Sequence, residues 1–427
     1  MRVVLLMLCL LLLAPMGFSR ETLTPLHSWI NRGGGQLIPL SDGRIYSAAR
    51  PPAWSVDDLW YQLGQPEDRA VVFAIGQPLL ELEAPATCSN TVFVASPSRQ
   101  QVTALSQGRL LKSGGICPKD NDYHQGFTQL WRYDHQQQPH WQAVGQLHQA
   151  RLLHTATALP DDSVILIGGL DPVMQRPLDG QSLQLSMLSS VELWQGDQVQ
   201  QLPPLPVARA LHSATRLPDG QILVAGGLGA DLKPLQDSWL YRLGDAQWRP
   251  GPTLPQAVFD HAALQTTFGL VIAGGRNDHN APLLQTLLLR DLTQGFEAKA
   301  PLMVPVAAGQ LAQNLHGDVL FSGGYTANFK PNPLLMRWTG KQWQLVQSQA
   351  VPNQQANWSV HAQADGHWML ATMHGAYQLT LPDAEVPAEP RSGSVYPRGN
   401  RNFSHVGSTN IELRDGRLLV VGGGMTG

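Results

Sequence analysis

One phrase ending in a Gly-Gly pair recurs along the chain, and it constrains the fold more than any other feature. "ARLLHTATALPDDSVILIGG" spans Ala150–Gly169, and "ARALHSATRLPDGQILVAGG" spans Ala208–Gly227. Aligned on the glycine pairs, the copies end at Gly115, Gly169, Gly227, Gly275, Gly324 and Gly423. Their successive gaps are 54, 58, 48, 49 and 99 residues. The longest gap is two periods, and the degenerate "HWMLATMHGA" at His367–Ala376 fills it. A weaker copy, "GQLIPLSDGRIYSAARP", stands at Gly35–Pro51. A period of about 50 residues is the mark of a propeller array.

Within a copy the pattern is that of strands. "HSATRL" reads as a strand, "PDG" as a tight turn and "QILVAGG" as a second strand. "DSWLYRL" and "AQWRPG" supply a third and a fourth. No sustained helical period appears beyond the N-terminal leader. Charged residues make up only 14% of the chain, against 41 Gly and 32 Pro, which suits strands and turns rather than solvated helices. The fold expected is all-β: a propeller of seven or eight four-stranded blades, the last one incomplete or closed by N-terminal strands. Segment 77–100 fits no blade and reads as an insertion or an irregular blade.

Each glycine pair has a physical task. Blades splay like wedges, and glycine permits close backbone approach where the inner strands crowd. The pairs are Gly114-Gly115, Gly168-Gly169, Gly226-Gly227, Gly274-Gly275, Gly323-Gly324 and Gly422-Gly423. Aromatic residues follow at regular distance to pack between blades: Tyr133 and Trp141, Tyr241 and Trp248, Trp338 and Trp343. This Gly-Gly…Tyr…Trp order resembles the kelch repeat, in the bacterial form related to the galactose oxidase propeller. The resemblance covers about 35–427 and speaks to fold, because one propeller serves many functions.

The N-terminus, "MRVVLLMLCLLLLAPMGFSRE", has a basic residue, a short apolar run and small residues at 17 and 19. It reads as a signal peptide, residues 1–19, cleaved after Ser19 to leave the propeller at 20–427. The expected location is periplasmic or secreted, with no membrane span after cleavage. Removal of Arg2 takes the formal charge from −3 to −4, and no Lys/Arg run supports nucleic-acid binding. Cys88 and Cys117 remain, an even pair that reads as a disulfide in an oxidising compartment.

Strand order places the short 1–2 turns at one end and the longer, variable 2–3 loops with the 4–1 connections at the other. Varied polar loops on a rigid scaffold are where binding concentrates. The candidate ligand residues on that face are Arg151, Arg209, Arg276, Asp278, His279, Tyr123 and His124. His154, His212 and His261 begin the innermost strands, and their recurrence points to a shared structural need. The expected role is a binding scaffold for a protein or a glycan, without cofactor or metal. A sugar-acid mutarotase or epimerase of the exported kelch type is the alternative, with the arginines gripping a carboxylate. The galactose oxidase resemblance implies a copper held by two Tyr and two His. Tyr123-His124 is the one adjacent Tyr-His pair here, and the C-terminal domain that supplies a further copper His has no counterpart.

Overall fold

The computed structural model describes residues 101–120, 123–134, 138–171, 174–175, 186–327, 330, 332–346, 359–362, 367–372 and 375–381, and elsewhere only short strands. It is all-β; the one helical element among the described residues is the three-residue turn Ser106–Gly108. No described helix is long and apolar enough to cross a membrane.

Seven four-stranded antiparallel sheets appear among the described residues. The Gly226 blade shows the plan: Ser213–Arg216, Ile222–Ala225, Ser238–Tyr241 and Arg249–Pro250, each paired with the next. The innermost strands of successive blades adjoin one another, from Gln101–Ala104 through Thr155–Ala158, Ser213–Arg216, Ala262–Thr266 and Gln310–Gln313 to Ser359–Ala362. Gln36–Pro39, the first strand of the N-terminal sheet, lies beside Ser359–Ala362 and continues the series. Leu80–Glu81, inside the segment that fitted no blade by sequence, is the outer strand of that N-terminal sheet.

An N-terminal strand does complete a blade. Thr22–Ser28 pairs with Gly375–Thr380 as the fourth strand of the sheet that begins at Ser359–Ala362. The copy at 418–423 has another fate. Its strand Leu418–Val421 joins Ser408–Glu412 and Phe403–His405 in a three-stranded sheet set against the innermost strands. Trp29, Cys88, Gly422 and Gly423 lie outside the described residues.

The second strands explain how the blades stick together. "ILVA" at Ile222–Ala225 is buried on both faces. Side chains alternate across a strand. Ile222 and Val224 therefore pack back on Ile165, Ile167 and Leu193 of the preceding blade. Leu223 and Ala225 pack forward on Ala263, Leu270 and Ile272 of the next. The core is thus a series of layers between blades, and each large aliphatic side chain in it contributes about 1.5–3 kcal/mol. The aromatics add straps. Tyr241 and Trp248 stack at 4.9 Å, and the Trp248 indole donates to the Pro203 carbonyl of the preceding blade at 2.9 Å. Tyr133 and Trp141 stand 5.5 Å apart in the Gly114 blade.

Candidate functional site

The glycine pairs, the histidines and two of the arginines form one repeated device at the end of the blades that carries the 2–3 loops. At each described pair the first glycine is left-handed, with φ of 58° at Gly168 and 60° at Gly226. A Cβ on Gly226 would lie 2.4 Å from the Val258 carbonyl oxygen of the next blade. The second glycine donates its N–H across the same boundary: Gly115 to Arg151 O, Gly169 to Arg209 O, Gly227 to Val258 O and Gly275 to Val306 O, at 2.8–3.0 Å.

His154, His212 and His261 sit in these joints. Their Nε2 atoms meet Ser113, Thr155 and Ser213 hydroxyls of the preceding blade at 3.0, 3.1 and 2.9 Å. The His212 ring lies against Gly168 of the preceding blade, and its Cβ against Gly227 of its own. Burial holds all three imidazoles neutral. It pushes His261 down to about 4 and His154 and His212 well below 6.5, with Arg151 and Arg209 adding to the effect on their neighbours. The residue before each histidine is left-handed as well: Leu153, Leu211 and Asp260, with Ala308 at the matching place in the Gly323 blade. Their backbones join head to tail, Leu211 N to Leu153 O, Asp260 N to Leu211 O and Ala308 N to Asp260 O.

Arg151 and Arg209 are fully buried. Each donates to the carbonyl of the first glycine, Arg151 to Gly168 O at 3.0 Å and Arg209 to Gly226 O at 2.9 Å. Carboxylates neutralise them: Glu192 for Arg151 at 2.5 Å and Asp237 for Arg209 at 2.9 Å. Glu192 also accepts from the His148 backbone and ring. The next two blades meet the same need without an arginine there. Gln285 donates to Gly274 O at 3.0 Å, and Asn332 donates to Gly323 O at 2.9 Å. The repeated requirement is a side-chain donor for one buried carbonyl, because an unpaired acceptor there is costly. Sequence reading missed the acceptor Glu192 and the donors Gln285 and Asn332, since they stand at different chain positions.

Arg276 is placed differently. It follows the Gly274-Gly275 pair, is 7% exposed, and its Nε meets Asp260 Oδ2 at 3.1 Å. Its Nη1 donates to Asn280 Oδ1 at 3.1 Å. Asp278 and His279 are exposed beyond it and pair with each other at 2.8 Å. Tyr123 and His124 belong to another blade's loop, on a strand that pairs with Ile116–Asp120. Met174–Gln175, from the next blade's 2–3 loop, extends that hairpin, with Met174 opposite His124 and Gln175 opposite Tyr123. Neighbouring loops thus share a small sheet. Cys117 lies on it, opposite Gln125. The same end of the molecule exposes Leu232 and Leu284 from 2–3 connections and Met303 from a 4–1 connection. Leu302 N donates to Leu284 O, so these 2–3 and 4–1 connections adjoin.

The sheets, the glycine joints and the Tyr-Trp straps define an all-β kelch-type propeller. The chain is 26% identical over 239 residues to the kelch-like protein terF of Aspergillus terreus, a match covering 54% of this chain and 50% of that protein. A 45-residue stretch, 10% of this chain and 6% of the relative, is 44% identical to tRNA wybutosine-synthesizing protein 4 of Eremothecium gossypii. The chain therefore spans about half of the first relative and a small part of the second. No protein-family model matches. Among solved structures, a fungal alcohol oxidase of the AA5 family in complex with copper aligns with a TM-score of 0.58 at 11% identity, over 86% of this chain and 78% of that one. The structure of YjhT aligns with a TM-score of 0.49 at 12% identity, over 77% and 98%. At such identities the likeness to AA5 concerns the fold alone.

Among the described residues no three His, Cys, Asp or Glu side chains converge in a ligand set. Each of the three joint histidines meets a hydroxyl through its Nε2. No step is routed through a copper centre.

Proposed function

We propose that this chain is an exported kelch propeller that binds a partner protein through the face formed by its 2–3 loops and 4–1 connections. The observation that carries this reading is the division of labour on that face. Arg151 and Arg209, the repeated cations, are spent on the carbonyls of Gly168 and Gly226. Leu232, Leu284 and Met303 are 50%, 43% and 49% exposed, on two adjacent blades. Exposed apolar side chains amid polar loops suit a protein surface. The sugar-acid reading loses two of its three arginines to the fold, which weakens it. Export rests on the leader at 1–19, and the Cys88–Cys117 bridge belongs to the same proposal.

The test is site-specific photo-cross-linking in the native host, with the probe at 232, 284 or 303. Leu243 and Leu315, exposed in a 3–4 and a 1–2 turn at the opposite end, serve as controls. The proposal expects one partner band from the first set and none from the second. Equal labelling from both ends, or from neither, overturns it.

A further inference from the structure

The loops that follow Gly227 and Gly275 close by the same turn. Gly229 N donates to Lys233 O and Leu232 N to Gly229 O, just as Asn277 N donates to Ala281 O and Asn280 N to Asn277 O. Leu232 and Asn280 therefore hold one place at the tips of neighbouring loops. Both are left-handed there, with φ of 60° and 56°. Asparagine is among the few residues that take this backbone readily, because its short polar side chain bonds locally. Leucine has no such compensation.

Two features single out Leu232. Among the described residues, the exposed left-handed ones other than glycine are Gln107, Leu232 and Asn280, and Leu232 is the apolar one of the three. The other two left-handed leucines, Leu153 and Leu211, belong to the head-to-tail chain beside the joint histidines. Leu232 lies outside that chain, and it is 50% exposed. Leu284 and Met303 share the exposure but not the left-handed backbone. One loop tip thus combines a disfavoured backbone with an apolar side chain in water, where the neighbouring blade carries asparagine. Backbone outliers held firmly by their surroundings point to function. The turn is held so: besides its two backbone bonds, Lys233 N donates to Asp231 Oδ1 at 3.1 Å.

We propose that Leu232 is the anchor of the partner face, a preformed knob that enters an apolar pocket on the partner protein. This rests on the reading of the loop face as a protein-binding surface. A side chain carried on a closed, rigid turn needs little ordering when it docks, so more of its burial appears as affinity. An aliphatic anchor in a pocket, ringed by polar contacts, is a recurring plan of protein interfaces. The ring is present here. Asp231 and Lys233 flank the knob, 61% and 78% exposed, with their charged ends 3.9 Å apart. Their charges balance, so the matching pocket has a polar rim without an excess of either sign.

The experiment uses two variants of the full chain. Leu232→Asn copies the neighbouring loop, and Leu232→Met keeps an apolar side chain. Two quantities are read: the urea midpoint of the purified protein, and the partner band captured in the native host by the cross-linking probe at 303. The proposal expects the midpoint of L232N at or above that of the wild-type protein, because asparagine relieves the left-handed backbone. It expects the L232N band to fall at least about tenfold, a loss of the size an anchor carries, while L232M keeps most of it. A lower midpoint in L232N shows a leucine that packs its own loop. An undiminished L232N band shows a bystander, and a band that L232M loses as fully as L232N shows that no apolar pocket is read. Each of the three overturns the proposal. The band from the protein with Leu232 intact tests the protein-binding reading separately: without it both fall, and with it the variants decide Leu232 alone.

Discussion

His212 Nε2 lies 3.1 Å from Thr155 Oγ1, across the boundary between two blades, in a joint closed by Gly168 on one side and Gly227 on the other. The same contact recurs between His154 and Ser113 and between His261 and Ser213. The histidines are thus members of the blade-to-blade seam, and their chemistry shows itself as stability.

That seam gives the protein an acid-sensitive limb. A joint histidine stays neutral in the fold, whereas the unfolded chain protonates near pH 6.5. Its contribution is fully present above about pH 6.5 and falls as the pH drops toward the folded value. For His261, held at about 4, the loss across that window is of order 3 kcal/mol. Urea unfolding measured from pH 7.5 to 4.5 is expected to show falling stability, with a shallower slope in His261→Gln. A flat profile in the wild-type protein would show that the rings are charged or solvated.

The glycine joints separate backbone strain from collision. Gly196 and Gly226 have φ of 62° and 60°, but a Cβ on Gly196 meets nothing within 4 Å. Gly196→Ala should cost about 1 kcal/mol, the price of a left-handed alanine. Gly226→Ala must also displace the Val258 carbonyl, so a loss of at least about 3 kcal/mol is expected. Denaturant midpoints of the two variants make the comparison; similar losses would contradict the close approach at Gly226.

The exposed apolar trio should be silent in the isolated protein. Leu232→Ser, Leu284→Ser and Met303→Ser together are expected to move stability by less than about 1 kcal/mol, because each side chain is about half exposed. Calorimetry of the triple variant checks this, and a large drop in melting temperature would place these residues in packing rather than on a free surface.

The sequence carried the fold more clearly than the site. Gly226-Gly227, His212, Tyr241 and Trp248 recur at a fixed spacing because every blade has the same wedge to close, so their period could be read directly. Arg151 and Arg209 recur too, but only the structure reveals their target, the carbonyl of a left-handed glycine. Gln285 and Asn332 answer that need from other chain positions, which hides the equivalence from alignment. Arg276, Asp278 and His279 were recognisable as loop residues of suitable type. Leu232 was not, since its meaning lies in the loop register that sets it against Asn280. The placement of Leu418–Val421 away from an eighth wedge was likewise invisible, because its sequence matches that of a blade strand.

The most direct measurement is the unfolding free energy of Arg209→Met beside that of the triple variant Leu232→Ser, Leu284→Ser and Met303→Ser. The account assigns Arg209 to the fold and Leu232, Leu284 and Met303 to the partner face. It predicts a loss of about 1–3 kcal/mol for Arg209→Met, which leaves the Gly226 carbonyl buried and unpaired, and a change of less than about 1 kcal/mol for the triple variant. A stable Arg209→Met with an unfolded triple variant would contradict it.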